Sequence, residues 1–203
     1  MAGRRCDTWP MSTKFQRAQP NRIYQLRVEL QHIEPRIWRC ILVPDSLKLA
    51  KLDRVVQSAM GWTNSHLHDW RIGEQRYGIP DEEWVGSEAL LDERKFTVGA
   101  VLGDQITDFS YTYDFGDGWD HHVTVEERLA VREGCNDWPM CISGENACPP
   151  EDVGGPPGYM DFIEAMHNPR HPQYADYLRW WGGPFDPRGF SINAANMAIR
   201  KLR

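Results

Sequence analysis

The spacing of apolar residues changes period several times along the chain, and each change marks a predicted element. Tyr24, Leu26, Val28 and Leu30 alternate with Gln25, Arg27 and Glu29, the two-residue period of a half-buried strand. After a break at His32 to Pro35 the run IWRCILV predicts a second strand, with Trp38, Cys40 and Leu42 on one face. Leu49, Leu52, Val56 and Ala59 then fall at helical spacing, widened by Val55 and Met60, with Ser46 as candidate cap and Gly61 as the stop. Alternation returns over Trp62 to Gly78, where His66, His68, Trp70 and Ile72 share one side and Gly73-Glu74 suits a hairpin turn. A brief helix is expected over Thr97 to Leu102.

The strongest pattern runs from Phe109 to Glu127. Phe109, Tyr111, Tyr113 and Phe115 share one face, Gly116-Asp117-Gly118 supplies a turn, and Trp119, His121, Val123 and Val125 resume the alternation. Further helices are expected over Tyr159 to His167, over Tyr174 to Trp181 with Pro172 at the first turn, and from Ile192 behind a Ser191 cap. No internal repeat is visible. The elements predict an α+β fold: a single domain over residues 21–203, in which antiparallel hairpins form a sheet packed by several helices, preceded by a disordered tail over 1–20.

Length and composition narrow the class. The 203 residues suffice for one domain with a sizeable core, and 41% hydrophobic with 26% charged residues is a globular balance. A net charge of −6 gives no bulk attraction to phosphate backbones, so a protein or small-molecule partner is favoured over nucleic acid. No apolar run reaches the roughly eighteen residues a bilayer span requires. The first twenty residues lack the apolar core of a secretory signal, so a cytoplasmic location is expected. Five cysteines, an odd number without an export signal, fit reduced thiols better than a disulfide framework.

Candidate chemistry gathers in three places. Asp114, Asp117, Asp120, His121 and His122 crowd the central hairpin, where they either build a turn and finish a strand or form a polar or metal site. His66 and His68, two apart on a strand, either chelate a metal or form a packed, hydrogen-bonded pair. Gly134 to Gly158 holds five prolines, five glycines and three cysteines, which exclude a long helix or a central strand and predict a long, pinned loop. Cys141 and Cys148 there are packing thiols, redox groups, or metal ligands needing a partner such as Cys135, His121 or His122. The acidic run from Pro80 to Glu93 reads as a solvated excursion or a lid.

The ordered series IWRCILVPDSLKLAKLDRVVQSAMGW, HLHDW, YTYDFGDGWDH, CISGENACPPEDVGG and FDPRGF resembles the plasmid pRiA4b ORF-3-like family, from about Tyr24 to Phe190. The resemblance implies a single α+β domain found on plasmids and bacterial chromosomes, sometimes beside a transposase, with no established activity. A transposition-resolvase label attached to some members follows gene neighbourhood. Where the family pattern places a further cysteine after Pro149-Pro150-Glu151-Asp152, this chain has Val153. A three-thiol metal cluster therefore does not carry over, and any metal here needs His or Asp to complete its ligands.

Known reaction types are then weighed against the residues. A recombinase needs a nucleophile beside several arginines, and His167-Asn168-Pro169-Arg170 with Tyr174 and Tyr177 supplies no such cluster. Asp114-Phe115-Gly116 lacks the other kinase motifs, and no G-x-S-x-G elbow occurs. Two readings remain. The first is a non-catalytic binding or adaptor domain associated with mobile elements, with Asp114, Trp119 and Trp138 as binding candidates and exposed Trp84, Trp180 or Trp181 as natural anchors. The second is a metal-dependent hydrolase or nuclease holding zinc or manganese through residues drawn from His66, His68, Asp117, His121, His122, Cys141 and Cys148, with Glu151 or Asp152 as base.

Overall fold

The computed structural model describes residues 20–80, 89–131 and 137–202. Residues 1–19 of the expected tail, residues 81–88 of the acidic run with Trp84, and Cys135 lie outside the described residues. In chain order the elements are β1 (Arg22–Leu30), β2 (Trp38–Pro44), α1 (Leu49–Met60), β3 (His68–Ile72), β4 (Gln75–Gly78), β5 (Leu90–Asp92), α2 (Val98–Leu102), β6 (Asp108–Tyr113), β7 (Trp119–Ala130), β8 (Met140–Glu145), α3 (Gly155–His167), α4 (Tyr174–Trp181) and α5 (Ile192–Arg200). The strands form one eight-stranded sheet in the order β5-β4-β3-β6-β7-β1-β2-β8. Its hairpins are antiparallel and β5 adds to β4 in parallel, so the α+β sheet is mixed. Among the described residues no helix is long and apolar enough to cross a membrane.

Local sequence explains most elements. In β1 the alternating positions Tyr24, Leu26, Val28 and Leu30 are buried, and in β6 and β7 the same holds for Phe109, Tyr111, Tyr113, Trp119, His121, Val123 and Val125. This inward face packs on α1, whose Leu49, Leu52, Val55, Val56 and Ala59 are buried. Burying side chains of this size contributes roughly 1.5–3 kcal/mol each. Gly61 ends α1 in the left-handed region (φ 116°), which residues with a Cβ adopt at a cost. α5 starts at Ser191, whose hydroxyl accepts from the Ala194 N–H, and packs on α1 and β8. α3 packs on α4, with the Phe162 ring edge-on to Tyr177, Trp180 and Trp181.

Several expectations are corrected. On β2 the fully buried face carries Arg39, Ile41 and Val43, while Trp38 and Leu42 are only half-buried. Arg39 tolerates burial because its guanidinium donates to the carbonyls of Ala59, Trp38, Glu145 and Asn146 at 2.7–2.9 Å. The composition of Gly134 to Gly158 hides β8, an edge strand on β2, and α3 begins at Gly155, with Pro at its first turn where no amide donor is needed. The loop proper is thus residues 146–154. Ser46 and Pro172 do not start helices: α1 is preceded by Lys48 and α4 by Gln173. His66 precedes β3 and Phe115 sits in the β6–β7 turn, 44% exposed. Glu93, taken as part of a solvated acidic run, is 1% exposed.

Candidate functional site

The β6–β7 turn and the 146–154 loop close on each other. Asp114 occupies the left-handed region (φ 56°), and its Oδ1 accepts from the amides of Gly116 and Asp117, which fixes the turn. Asp117 Oδ2 in turn accepts from the Gly154 amide at 3.2 Å. A Cβ on Gly155 would lie 2.3 Å from the Asp117 carbonyl oxygen, so the two backbones meet where only glycine fits. From α1's end, Trp62 Nε1 donates to the Pro149 carbonyl at 3.0 Å.

Glu151 is held between these pieces. Its Oε1 accepts from the Thr63 amide at 2.8 Å and the Thr63 hydroxyl at 3.1 Å, and the Tyr113 hydroxyl donates to both of its oxygens. The Ser65 amide donates to that hydroxyl at 3.0 Å. Burial, and the Glu151 charge after it, push the Tyr113 pKa up, so the phenol keeps its proton as a donor.

His66 stands at the centre. Its Nδ1 is 3.6 Å from Asp114 Oδ2, and its Nε2 is 3.1 Å from Asp152 Oδ1 and 3.8 Å from Glu151 Oε2. The Nε2 atom is buried and makes no well-directed hydrogen bond. One ligand atom each from His66, Asp114 and Asp152 lies within 4.8 Å of the others. The Asp114 side chain is 10% exposed and that of Asp152 70%, so the corner is closed behind and open in front.

The other candidates lie apart from His66. His68 faces α1 and the segment after β5, with Nδ1 3.3 Å from Asp53 Oδ1 and Nε2 3.0 Å from Glu93 Oε2. Tyr111 and Gln57 also donate to Asp53, and Trp70 donates to Glu93. Burial alone would lower the His68 pKa, but the Glu93 hydrogen bond and the Asp53 charge hold it above the ordinary value. His121 is buried with Nδ1 3.2 Å from the Tyr111 carbonyl, and burial drives its pKa down to about 4. His122 is exposed on the outward face of β7. Cys141 is buried on β8, its thiol donating to the Ser143 carbonyl, and Cys148 is half-buried. Burial pushes both thiols up, which keeps them protonated and weakly nucleophilic as they stand.

Of the binding candidates, Trp119 is wholly buried beside Trp62 and offers no surface, because β7 turns it into the core. Trp138 is half-buried ahead of β8. Sequence reasoning passed over Trp62, Asp53 and Glu93. The available signal was Asp53, a charge beside the apolar stripe of α1 with Gln57 one turn on.

Beside the His66 corner runs a cleft of about 690 Å³. Its lining includes Trp62, Pro149, Pro150, Trp180, Trp181, Phe185 and Phe190, the carboxylates of Glu151 and Asp152, and Arg39, whose guanidinium is engaged by four carbonyls. Trp180 and Trp181 are 49% and 44% exposed.

Comparison with known proteins agrees with this architecture. The chain is 39% identical over 184 residues to the uncharacterized protein y4hQ of Sinorhizobium fredii (strain NBRC 101917 / NGR234), an alignment covering 89% of this chain and 92% of that relative. Its fold matches the crystal structure of MM3350, a protein of unknown function from Methanosarcina mazei Go1, with a TM-score of 0.77 and 30% identity over 86% of this chain and 98% of that one. Residues 22–194 match the family described as plasmid pRiA4b ORF-3-like protein, and the chain belongs to that family.

Proposed function

We propose that this protein is a non-catalytic binding or adaptor domain, of the kind carried with plasmids or other mobile elements, whose cleft takes a short segment of a partner protein. The observation that carries the reading is the pair Trp180 and Trp181, large rings left about half-exposed along a cleft whose lining includes the carboxylates of Glu151 and Asp152. Tryptophan offers wide apolar contact at low cost in side-chain entropy and dominates many binding interfaces. The two carboxylates match a basic side chain, so the expected segment sets apolar residues beside a lysine or arginine. A metal-dependent hydrolase or nuclease is the second reading, favoured by the grouping of His66, Asp114 and Asp152. It also needs a base, and Glu151 is already engaged by Thr63 and Tyr113.

The test is a tryptophan-fluorescence titration with a library of hexapeptides carrying leucine or phenylalanine beside arginine. Saturable binding by a subset, weakened at least tenfold in Trp181→Ala, is the expected outcome. Equal response of wild type and variant to every peptide would contradict the reading.

A further inference from the structure

The His66 corner has an imbalance of charge that its own side chains leave uncompensated. Three carboxylates, Asp114, Glu151 and Asp152, stand within 3.1–3.8 Å of one imidazole. Among the described residues none of the three forms an ion pair with lysine or arginine; the one basic side chain each meets is His66. Amides, the Thr63 hydroxyl and the Tyr113 phenol stabilise Asp114 and Glu151, and water stabilises Asp152, but carboxylates sharing one imidazole still repel, and a positive charge among them is favoured. A protonated imidazole supplies one charge at most.

The available atoms fit a cation. Asp114 uses Oδ1 for the turn, which leaves Oδ2 facing the ring. Glu151 takes Thr63 on Oε1 and shares the Tyr113 hydroxyl between both oxygens, and its Oε2 lies 3.8 Å from His66 Nε2. His66 Nε2 is a buried nitrogen without a hydrogen-bond partner. Two backbone segments hold the set in place, since Asp114 and Asp152 both sit in the left-handed region and Asp117 ties the turn to Gly154.

We propose that His66, Asp114 and Asp152, with Glu151 beside them, form a binding site for a divalent first-row cation of the zinc or manganese class. One imidazole nitrogen with carboxylate oxygens and no thiolate is a borderline-to-hard ligand set that suits these ions. The exposed side of Asp152 leaves room for water or a ligand atom in the remaining coordination positions. The site does not rest on the segment-binding reading. A bound cation and the basic group of a segment draw on the same Asp152 carboxylate, so they exclude one another.

The experiment is calorimetric titration of the full chain with zinc chloride and, separately, manganese chloride, with no peptide present. At least one of the two cations is expected to bind at one equivalent, weakened at least tenfold in both His66→Ala and Asp152→Asn and unchanged in Asp120→Asn, an exposed carboxylate on β7. Asp152 is largely solvent-exposed, so its variant carries the test even where His66→Ala fails to fold. Absence of saturable binding by either cation, or binding that Asp152→Asn leaves intact, would overturn the proposal. Peptide titration of the metal-free protein reads the cleft separately, so the two proposals fail independently.

Discussion

His68 and His121 are both buried, yet their surroundings push them in opposite directions. His121 has a pKa lowered to about 4 by burial, so between that value and the unfolded value near 6.5 the unfolded chain binds a proton that the native state does not. Stability therefore falls as pH drops through that window, by up to about 1.4 kcal/mol per unit from this residue. His68 is held above its ordinary value between Glu93 and Asp53. Its contribution is complete below about 6.5 and is lost as pH rises through the folded pKa. Denaturant unfolding across pH should show His121→Leu losing part of the acid-side decline and His68→Gln losing part of the alkaline-side decline. The His68 variant is also destabilised throughout, because two buried carboxylates lose their partner. An unchanged pH profile in both variants would refute this assignment.

At the scale of elements, the contact between the β6–β7 turn and the start of α3 depends on one missing side chain. Gly155 (φ 68°) places its hydrogen where a Cβ would strike the Asp117 carbonyl, a backbone atom that cannot swing aside. Gly182, at the end of α4, also has positive φ (90°) but open space around it. Gly155→Ala should therefore lose about 2 kcal/mol more than Gly182→Ala, the difference being overlap and not backbone strain. Thermal unfolding of the two variants measures it, and equal losses would contradict the close approach. The elements themselves were largely legible in the sequence. Alternation over Phe109 to Tyr113 and Trp119 to Val125, and the helical stripe from Leu49 to Ala59, report which face is buried, since burial imposes those periods, whereas Phe115 falls in the turn. β8 was not legible, because an edge strand rich in turn-forming neighbours carries little periodicity. β5 was missed because its pairing with β4 is set by tertiary contact.

For the molecule as a whole, the site was legible in its parts and not in its assembly. His66, Asp114 and Asp152 each stood out as chemistry-bearing residues, but their meeting depends on contacts between a loop, a turn and a second loop far apart in the chain. His68 shows the converse: its spacing from His66 leaves chelation and a packed, hydrogen-bonded pair both open, and its partners Asp53 and Glu93 come from α1 and from a stretch that reads as solvated charge. The central claim is that the central turn and the proline-rich loop form one functional corner around His66. Manganese-induced broadening in proton–nitrogen correlation spectra tests it most directly. Substoichiometric Mn²⁺ should first broaden the amides of residues 63–67, 114–118 and 151–154 together, with the effect lost in Asp152→Asn. Broadening confined to a single one of these segments or centred elsewhere would contradict it, as would the absence of both manganese broadening and zinc-induced shifts at these amides.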